Sequence, residues 1–375
     1  MPDPERILLV RLSHLGDVVH ALPCFHALRE RFPGAAIAWA VQPEFAGLLR
    51  GLDGLARVVP FDRQGGLAAW PRLRRDLRAF APDLSVDVQG NWKSALVARA
   101  SGAPRRVAPA RRDWREPSAA RLANDLAPPA PPEARHAQDR VLHLARWLCG
   151  PTTVRRDPSL SDAERAAGRA RLADCVPDAA PPVLVQVSPA DDVRTATDAC
   201  LVDAIAHLFE ARRGVVLVAA ASEAPRARDL AASVVARTGR APALVCDSPD
   251  LRAFAALLAA AGERGGALVT GDTGPLHLAG AVGLRCVCLS GPYDWRATGP
   301  WPSPRGVGDA PAPSPHQLPS PSPHASPHAS PHRVLATDID CRPCDARVCR
   351  RPGGRACLEG IDGATVAHAV LALDA

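Results

Sequence analysis

The chain has 375 residues, 47% of them apolar and 22% charged, with 45 basic against 39 acidic side chains and a formal charge of +6. This composition excludes wholesale disorder, and the length fits two domains, each with chain enough for its own core. Apolar runs such as Val215–Ala221 fall short of the ~18–20 residues of a bilayer span, and Ile7–Val10 is too short for the apolar part of a secretion signal, so a cytosolic protein is expected.

Taken in order, short apolar strands alternate with helical stretches. Strands are predicted at Arg6–Arg11, Ala36–Val41, Ala56–Pro60 and Leu84–Val88, and helices at Val18–Phe32, Leu67–Phe80 and near Lys93–Ala100. Ala134–Leu148 and Asp162–Ala173 read as further helices. Pro177 to Pro182 has no periodicity and reads as a linker. The pattern then restarts, with strands at Val183–Val187, Gly214–Ala219, Ala243–Val245, Gly266–Thr270 and Leu284–Leu289. Helices are predicted between them at Ala199–Arg212, Arg226–Arg237 and Leu251–Ala261, and from Pro275 onward. Such alternation with short connections signals parallel α/β architecture. Two doubly wound domains are expected, 1–178 and 183–375. Residues 302–332 break the pattern with a near-tandem Ser-Pro-His-Ala repeat, read as a disordered insertion. Its histidines (His316, His324, His328 and His332) could bind metal, but a repeat expansion in a tolerant loop accounts for them more simply.

The charge excess is too small to argue for nucleic acid, and no nucleic-acid-binding motif is present. It suits an anionic small substrate or an acidic membrane surface. Of the eleven cysteines, Cys24, Cys149, Cys175, Cys200, Cys246, Cys286 and Cys288 lie in apolar contexts and read as small core residues.

Two strand-to-helix turns carry chemistry. In an open parallel sheet, ligands sit beyond the carboxyl ends of the strands. Asp17 follows the first strand at that edge, either as a helix cap or as a general base. The one glycine in this turn does not make a dinucleotide fingerprint, which disfavours a nicotinamide enzyme. The second turn is Gly271-Asp272-Thr273-Gly274-Pro275-Leu276-His277. Its glycines permit close backbone approach, and its free amides with the helix dipole make an anion site suited to a diphosphate. Asp272 would repel phosphate and is assigned to sugar hydroxyls; a plain capped helix is the alternative for the whole turn.

These stretches resemble glycosyltransferase family 9, the bacterial ADP-heptose:lipopolysaccharide heptosyltransferases. The resemblance rests on Ile7–Pro23, on Asp87–Arg99 with Trp114–Pro117 and His136–Arg140, on Gly271–Gly283 with Ser290–Asp294 and Gly299-Pro300, and on Cys341–Cys357. It implies a GT-B fold, two Rossmann-like α/β domains facing a cleft, and inverting, metal-independent sugar transfer that requires no cofactor. By the same resemblance Asp17 is the catalytic base, and Asp272, Thr273, Gly274 and His277 bind the donor. Lys93, the one lysine of the chain, and Arg115 and Arg140 fall on acceptor-side basic positions. The family's lysine after the first strand of the second domain is missing, and Arg194 is the available replacement; Glu223 falls where the ribose is met. The implied partners are a nucleotide-sugar donor, an anionic lipid-linked saccharide and the cytoplasmic face of the inner membrane. A transferase for another nucleotide sugar and a catalytically silent paralogue are the alternatives, since the donor-side changes bear on both.

Cys341, Cys344, Cys349 and Cys357 have the spacing C-x2-C-x4-C-x7-C. Four thiolates so placed could hold structural zinc or an iron–sulfur cluster; the alternative is a set of reduced thiols in a loop.

Overall fold

Continuous apolar runs become parallel strands covered on both faces, as burial by crossover helices requires. The computed structural model describes residues 3–177, 179–246, 250–303, 330–346, 348–352 and 354–374. These divide into one unit ending at Ser161 and a second beginning at Asp162.

The first unit contains β1 (Arg6–Val10), β2 (Ala36–Val41), β3 (Leu55–Pro60), β4 (Leu84–Asp87), β5 (Arg105–Ala108) and β6 (Asp125–Leu126). They form one parallel sheet in the order β3-β2-β1-β4-β5-β6. Its helices are α1 (Leu15–Arg31), α2 (Pro43–Leu49), α3 (Trp70–Phe80), α4 (Trp92–Ser101) and α5 (Ala137–Cys149). Alternation along β1 and β2 sends Leu8, Val10, Ala38 and Ala40 into a core with Leu73 and Leu77 of α3 and Val97 of α4. On the other face Phe25 of α1 stacks on Trp39 at 5.9 Å, and His20 of α1 meets His136, the residue before α5, edge-on at 5.2 Å. Asn91 and Ser94 close a reciprocal capping box at the start of α4, worth about 1 kcal/mol.

The second unit contains β7 (Pro182–Val187), β8 (Gly214–Ala219), β9 (Ala243–Val245), β10 (Ala267–Gly271), β11 (Arg285–Leu289) and β12 (Arg333–Leu335), parallel in the order β12-β11-β10-β7-β8-β9. Its helices are α6 (Asp162–Cys175), α7 (Asp198–Glu210), α8 (Ala224–Thr238), α9 (Leu251–Glu263), α10 (Gly274–Ala281), α11 (Trp295–Thr298), α12 (Ala356–Glu359) and α13 (Gly363–Leu371). Val183, Val185 and Leu217 pack with Leu201 and Ile205 of α7, Val234 of α8 and Val366 of α13.

The two sheets share one topology. In each unit the first and fourth strands are neighbours (β1 with β4, β7 with β10), with the chain running outward on either side. This is the switch point of a doubly wound sheet, and the turns leaving those two strands face a common crevice.

The unit boundary differs from the one expected at 178–183. Helix α6 belongs to the second unit because it packs on α9, where Gly168 lies so close that a Cβ would overlap the carbonyl of Ala256. Arg252 of α9, almost fully buried, pairs with both carboxylate oxygens of Glu164 at 2.5 and 2.7 Å. The proline-rich stretch ahead of β7 is thus a connection inside the second unit. Most of the expected insertion, residues 304–329, lies outside the described residues, as do three of its four histidines. At its described ends, Ser330 Oγ donates to the carbonyl of Pro302 at 2.5 Å, and His332 is buried against the Trp301 carbonyl.

Candidate active site

In the first unit the turn after β1 places Asp17 in the first turn of α1. It does not cap that helix: His14 is the N-cap residue, no side chain caps the helix, and the Val18 amide donates to the His14 carbonyl at 3.0 Å. The Asp17 carboxylate is held by Arg11 through one oxygen and faces His14 Nδ1 at 3.5 Å through the other. His14 has φ +63°, a left-handed conformation rare outside glycine, which fixes the turn at a cost of order 1 kcal/mol. Arg11 is buried and also donates to the Val88 carbonyl at 2.8 Å, so the guanidinium ties the end of β1 to the end of β4. Burial alone would raise the Asp17 pKa, but Arg11 and His14 outweigh it and hold the carboxyl below its ordinary value. The group is therefore a carboxylate with about a third of its side chain exposed, able to accept a proton.

The turn after β4 is built beside it. Gln89 Oε1 accepts from the Leu12 amide at 2.7 Å, stitching the two turns together. Buried Asp87 accepts from the Gln89 and Gly90 amides at 2.8 and 3.2 Å, and burial pushes its carboxyl up to about 6. Lys93 lies exposed in the first turn of α4. The Trp114–Glu116 loop docks on the same turn, because Glu116 accepts from the Trp92 amide at 2.7 Å and donates its own amide to Gly90 at 3.4 Å. Exposed Arg115 is thereby brought to the β4 edge. Arg140 lies in the first turn of α5, with its guanidinium folded back on the Ala134 and Arg135 carbonyls at 3.4 and 3.2 Å. The contact of His20 with His136 sets that turn beside α1, one turn beyond Asp17.

In the second unit the turn after β10 opens α10, with Thr273 at its N-cap position. Thr273 Oγ1 donates to Gln186 Oε1 of β7 at 2.7 Å, and Thr270 donates to the same oxygen, so the backbone amides at the helix start are left without a side-chain cap. That leaves the anion-binding end of the helix open. Gly271 is required for a reason internal to the fold: a Cβ there would overlap the carbonyl oxygen of Arg194 in the loop after β7. The Asp272 carboxylate is almost fully buried, accepts the Thr298 hydroxyl and faces His277 Nε2 at 3.5 Å. It orients those two groups. Arg194 forms a two-point pair with Asp192, Nε–Oδ1 2.8 Å and Nη2–Oδ2 2.5 Å, while Nη1 donates to the Asp272 carbonyl at 3.5 Å. Glu223, half-buried, ends the short turn after β8, the strand next to β7.

A family model for glycosyltransferase family 9 (heptosyltransferase) matches residues 70–307. The chain belongs to glycosyltransferase family 9. It is accordingly a glycosyltransferase, with two parallel Rossmann-like sheets of the GT-B type. It is 31% identical over 309 residues to lipopolysaccharide heptosyltransferase 1 of Pseudomonas aeruginosa, covering 78% of this chain and 81% of that protein. In fold it matches the ADP-heptose lipopolysaccharide heptosyltransferase II of Escherichia coli with a TM-score of 0.72 at 18% identity, covering 98% of each chain. It also matches TibC, a dodecameric iron-containing heptosyltransferase solved with ADP-D-β-D-heptose, with a TM-score of 0.54 at 11% identity, over 100% of this chain and 77% of that one.

The family resemblance assigns no role to several groups at these turns: Arg11, His14 and Asp87 in the first unit, Gln186, Asp192 and Thr298 in the second. Gln186 was the most detectable of them, a lone amide in the apolar run Pro182–Val187.

Cys341, Cys344, Cys349 and Cys357 line one small pocket with Val193 and Pro292, but no three metal-ligating side chains gather into a set among the described residues. Cys349 donates to the Gly354 carbonyl at 3.3 Å, and burial raises the Cys357 thiol. The segment is fastened by Arg342, which donates to Gly291, Ser290 and Thr337 carbonyls at 2.8, 2.8 and 2.9 Å.

Proposed function

We propose that the chain transfers heptose from ADP-heptose, with inversion, to the inner core of a lipopolysaccharide acceptor. The observation that carries this is the Asp17 carboxylate, kept ionised by Arg11 at the switch point of the first sheet. The nucleophile is a sugar hydroxyl on the acceptor. As its oxygen bonds to the anomeric carbon of the donor, the proton passes to Asp17, a step worth ~10²–10⁴-fold in rate. The anomeric carbon–oxygen bond breaks, and its electron pair leaves with the nucleoside diphosphate. On the second unit, the amides and dipole at the start of α10 receive the diphosphate, with Arg194 as the nearby cation and Glu223 placed for the ribose. Gly274 and Thr273 form the open helix end, and His277, steadied by Asp272, reaches the donor sugar. The route needs no cofactor and no metal, since fixed dipoles and a guanidinium meet the phosphate charge.

Lys93, Arg115 and Arg140 are assigned to carboxylates or phosphates of the acceptor, where charge-assisted contacts orient the nucleophile. No helix among the described residues is long and apolar enough to cross a membrane. The proposed acceptor is lipid-linked, so the reading places the chain at the cytoplasmic face of the inner membrane as a peripheral protein.

The test is single turnover with a panel of labelled nucleotide sugars on the wild type and Asp17→Asn. Heptose transfer from the adenosine donor, lost in Asp17→Asn with nucleotide affinity retained, is the expected result. Transfer from a uridine donor in preference would establish the second reading, another nucleotide sugar. That reading is favoured by the replacement of the family lysine by an arginine already paired with Asp192. Nucleotide binding without transfer from any donor would establish the silent paralogue.

A further inference from the structure

The loop after β7 carries a cation at the open end of α10, and that cation is already matched. Arg194 presents its fork to Asp192 through Nε and Nη2, and its own amide donates to Asp192 Oδ1 at 2.9 Å. The backbone beneath is held in place: the Asp192 amide donates to Pro189 at 3.1 Å, the Thr195 amide donates to the Asp192 carbonyl at 3.0 Å, and Arg355 Nη1 donates to that same carbonyl at 2.6 Å. From the other side the loop rests on Gly271, which has no Cβ to keep it away. Only Nη1 is turned to the α10 turn, at the Asp272 carbonyl.

A carboxylate and a phosphate offer a guanidinium the same pair of oxygens. We propose that Asp192 is a built-in competitor for the Arg194 fork, setting how tightly the chain grips the diphosphate of its nucleotide. The inference rests on the proposed donor site at α10. Arg194 is about a third exposed and Asp192 about a sixth, and a pair that meets water on its arginine side can open for a ligand that supplies the same oxygens. The diphosphate takes the fork from Asp192 on binding, and Asp192 takes it back as the nucleotide leaves. Part of the attraction between Arg194 and phosphate is therefore spent on displacing a resident anion. The device favours release of the spent nucleoside diphosphate over its retention.

The experiment is calorimetry on the full chain with ADP and with adenosine as probes, for the wild type, Asp192→Asn, Arg194→Ala and the double variant. Asparagine retains an acceptor oxygen for the Arg194 amide, so the loop keeps its turn. Asp192→Asn is expected to bind ADP about fivefold tighter, the factor a wetted ion pair of about 1 kcal/mol allows, with adenosine affinity unchanged. The gain is expected to vanish when Arg194 is alanine. Weaker or unchanged ADP binding in Asp192→Asn overturns the proposal, as does a gain that survives in the double variant. An equal change for adenosine reports a merely structural effect and also overturns it. If no variant binds ADP at all, the donor site itself fails and this inference with it; if ADP binds but Asp192→Asn leaves it unmoved, only this inference fails.

Discussion

The guanidinium of Arg11 is shared between the Asp17 carboxylate and the carbonyl of Val88. A residue leaving the first strand thus holds the proposed base with a clamp whose other end is the fourth strand. The charge that keeps Asp17 ionised and the backbone that keeps it in place are supplied by one side chain.

This arrangement fixes the acid side of the rate profile. With its carboxyl held below the ordinary value, Asp17 stays deprotonated across pH 5–8, and kcat/KM is expected to show no acid limb from it there. Arg11→Met removes the stronger lowering charge and leaves burial, which raises the pKa, opposed by His14 alone, so the acid limb should move up toward the measured range. Asp17→Asn should lower kcat by ~10²–10⁴-fold with ADP affinity retained in calorimetry. A profile unchanged by Arg11→Met would separate Arg11 from the base.

Asp87 gives a stability prediction of the opposite sense. Its folded pKa, about 6, is above the ordinary 3.8. The fold therefore favours the protonated form, whose contribution is complete below the unfolded value and is lost as pH rises through the folded one. The full loss is about 3 kcal/mol. Asp87→Asn keeps the oxygen that accepts the Gln89 and Gly90 amides and cannot ionise. Its melting temperature relative to wild type should rise between pH 5 and pH 7.5; a constant difference would show that Asp87 is not the titrating group.

Alanine at Lys93, Arg115 or Arg140 should raise the acceptor KM about tenfold each, the weight of one charge-assisted hydrogen bond. Donor KM should stay within twofold. Steady-state kinetics with each substrate varied separates the two; a uniform rise in donor KM would move these residues to the other substrate.

Thr298 donates its hydroxyl to Asp272, and Asp272 faces His277. Thr298→Val keeps the shape and removes the hydrogen bond, leaving a buried carboxylate oxygen unmatched at ~1–3 kcal/mol. Donor KM is expected to rise several-fold, and Thr298→Ser to restore it. Failure of serine to rescue would assign the effect to packing.

Replacing residues 304–329 with a short glycine–serine linker should leave melting temperature and turnover unchanged. The described ends are already joined through Ser330 and Pro302, and shortening a loop costs little. Differential scanning calorimetry and the turnover assay check this; lost turnover would bring the insertion into function.

The alternation of apolar runs made both sheets legible, because a strand covered on both faces must be apolar throughout, as Ile7–Val10 and Val215–Val218 are. Strands β5, β6 and β12 were missed: Arg105–Ala108 begins with two arginines, and the others are too short for periodicity to register. Of the candidate site, the two turns were legible through Asp17 and the Gly271–Gly274 spacing, local signals within a few residues. Arg11 with Val88, Thr298 with Asp272 and Gln186 with Thr273 were not, since each joins residues from different turns or strands whose nearness only the strand order creates. The pairing of Arg194 with Asp192 was hidden for another reason: two residues apart, they can either meet or diverge, and the loop backbone decides.

Helix α6 has a consequence for taking the molecule apart. A fragment begun after the proline-rich stretch at 178–182 would strip Glu164 from Arg252 and so lose the two-point ion pair that fastens α6 to α9. It would also bare the surface of α9 that Gly168 and Leu172 cover. A truncation meant to isolate the nucleotide-side half has to start ahead of Asp162, in the segment that follows α5, where the cut crosses neither sheet.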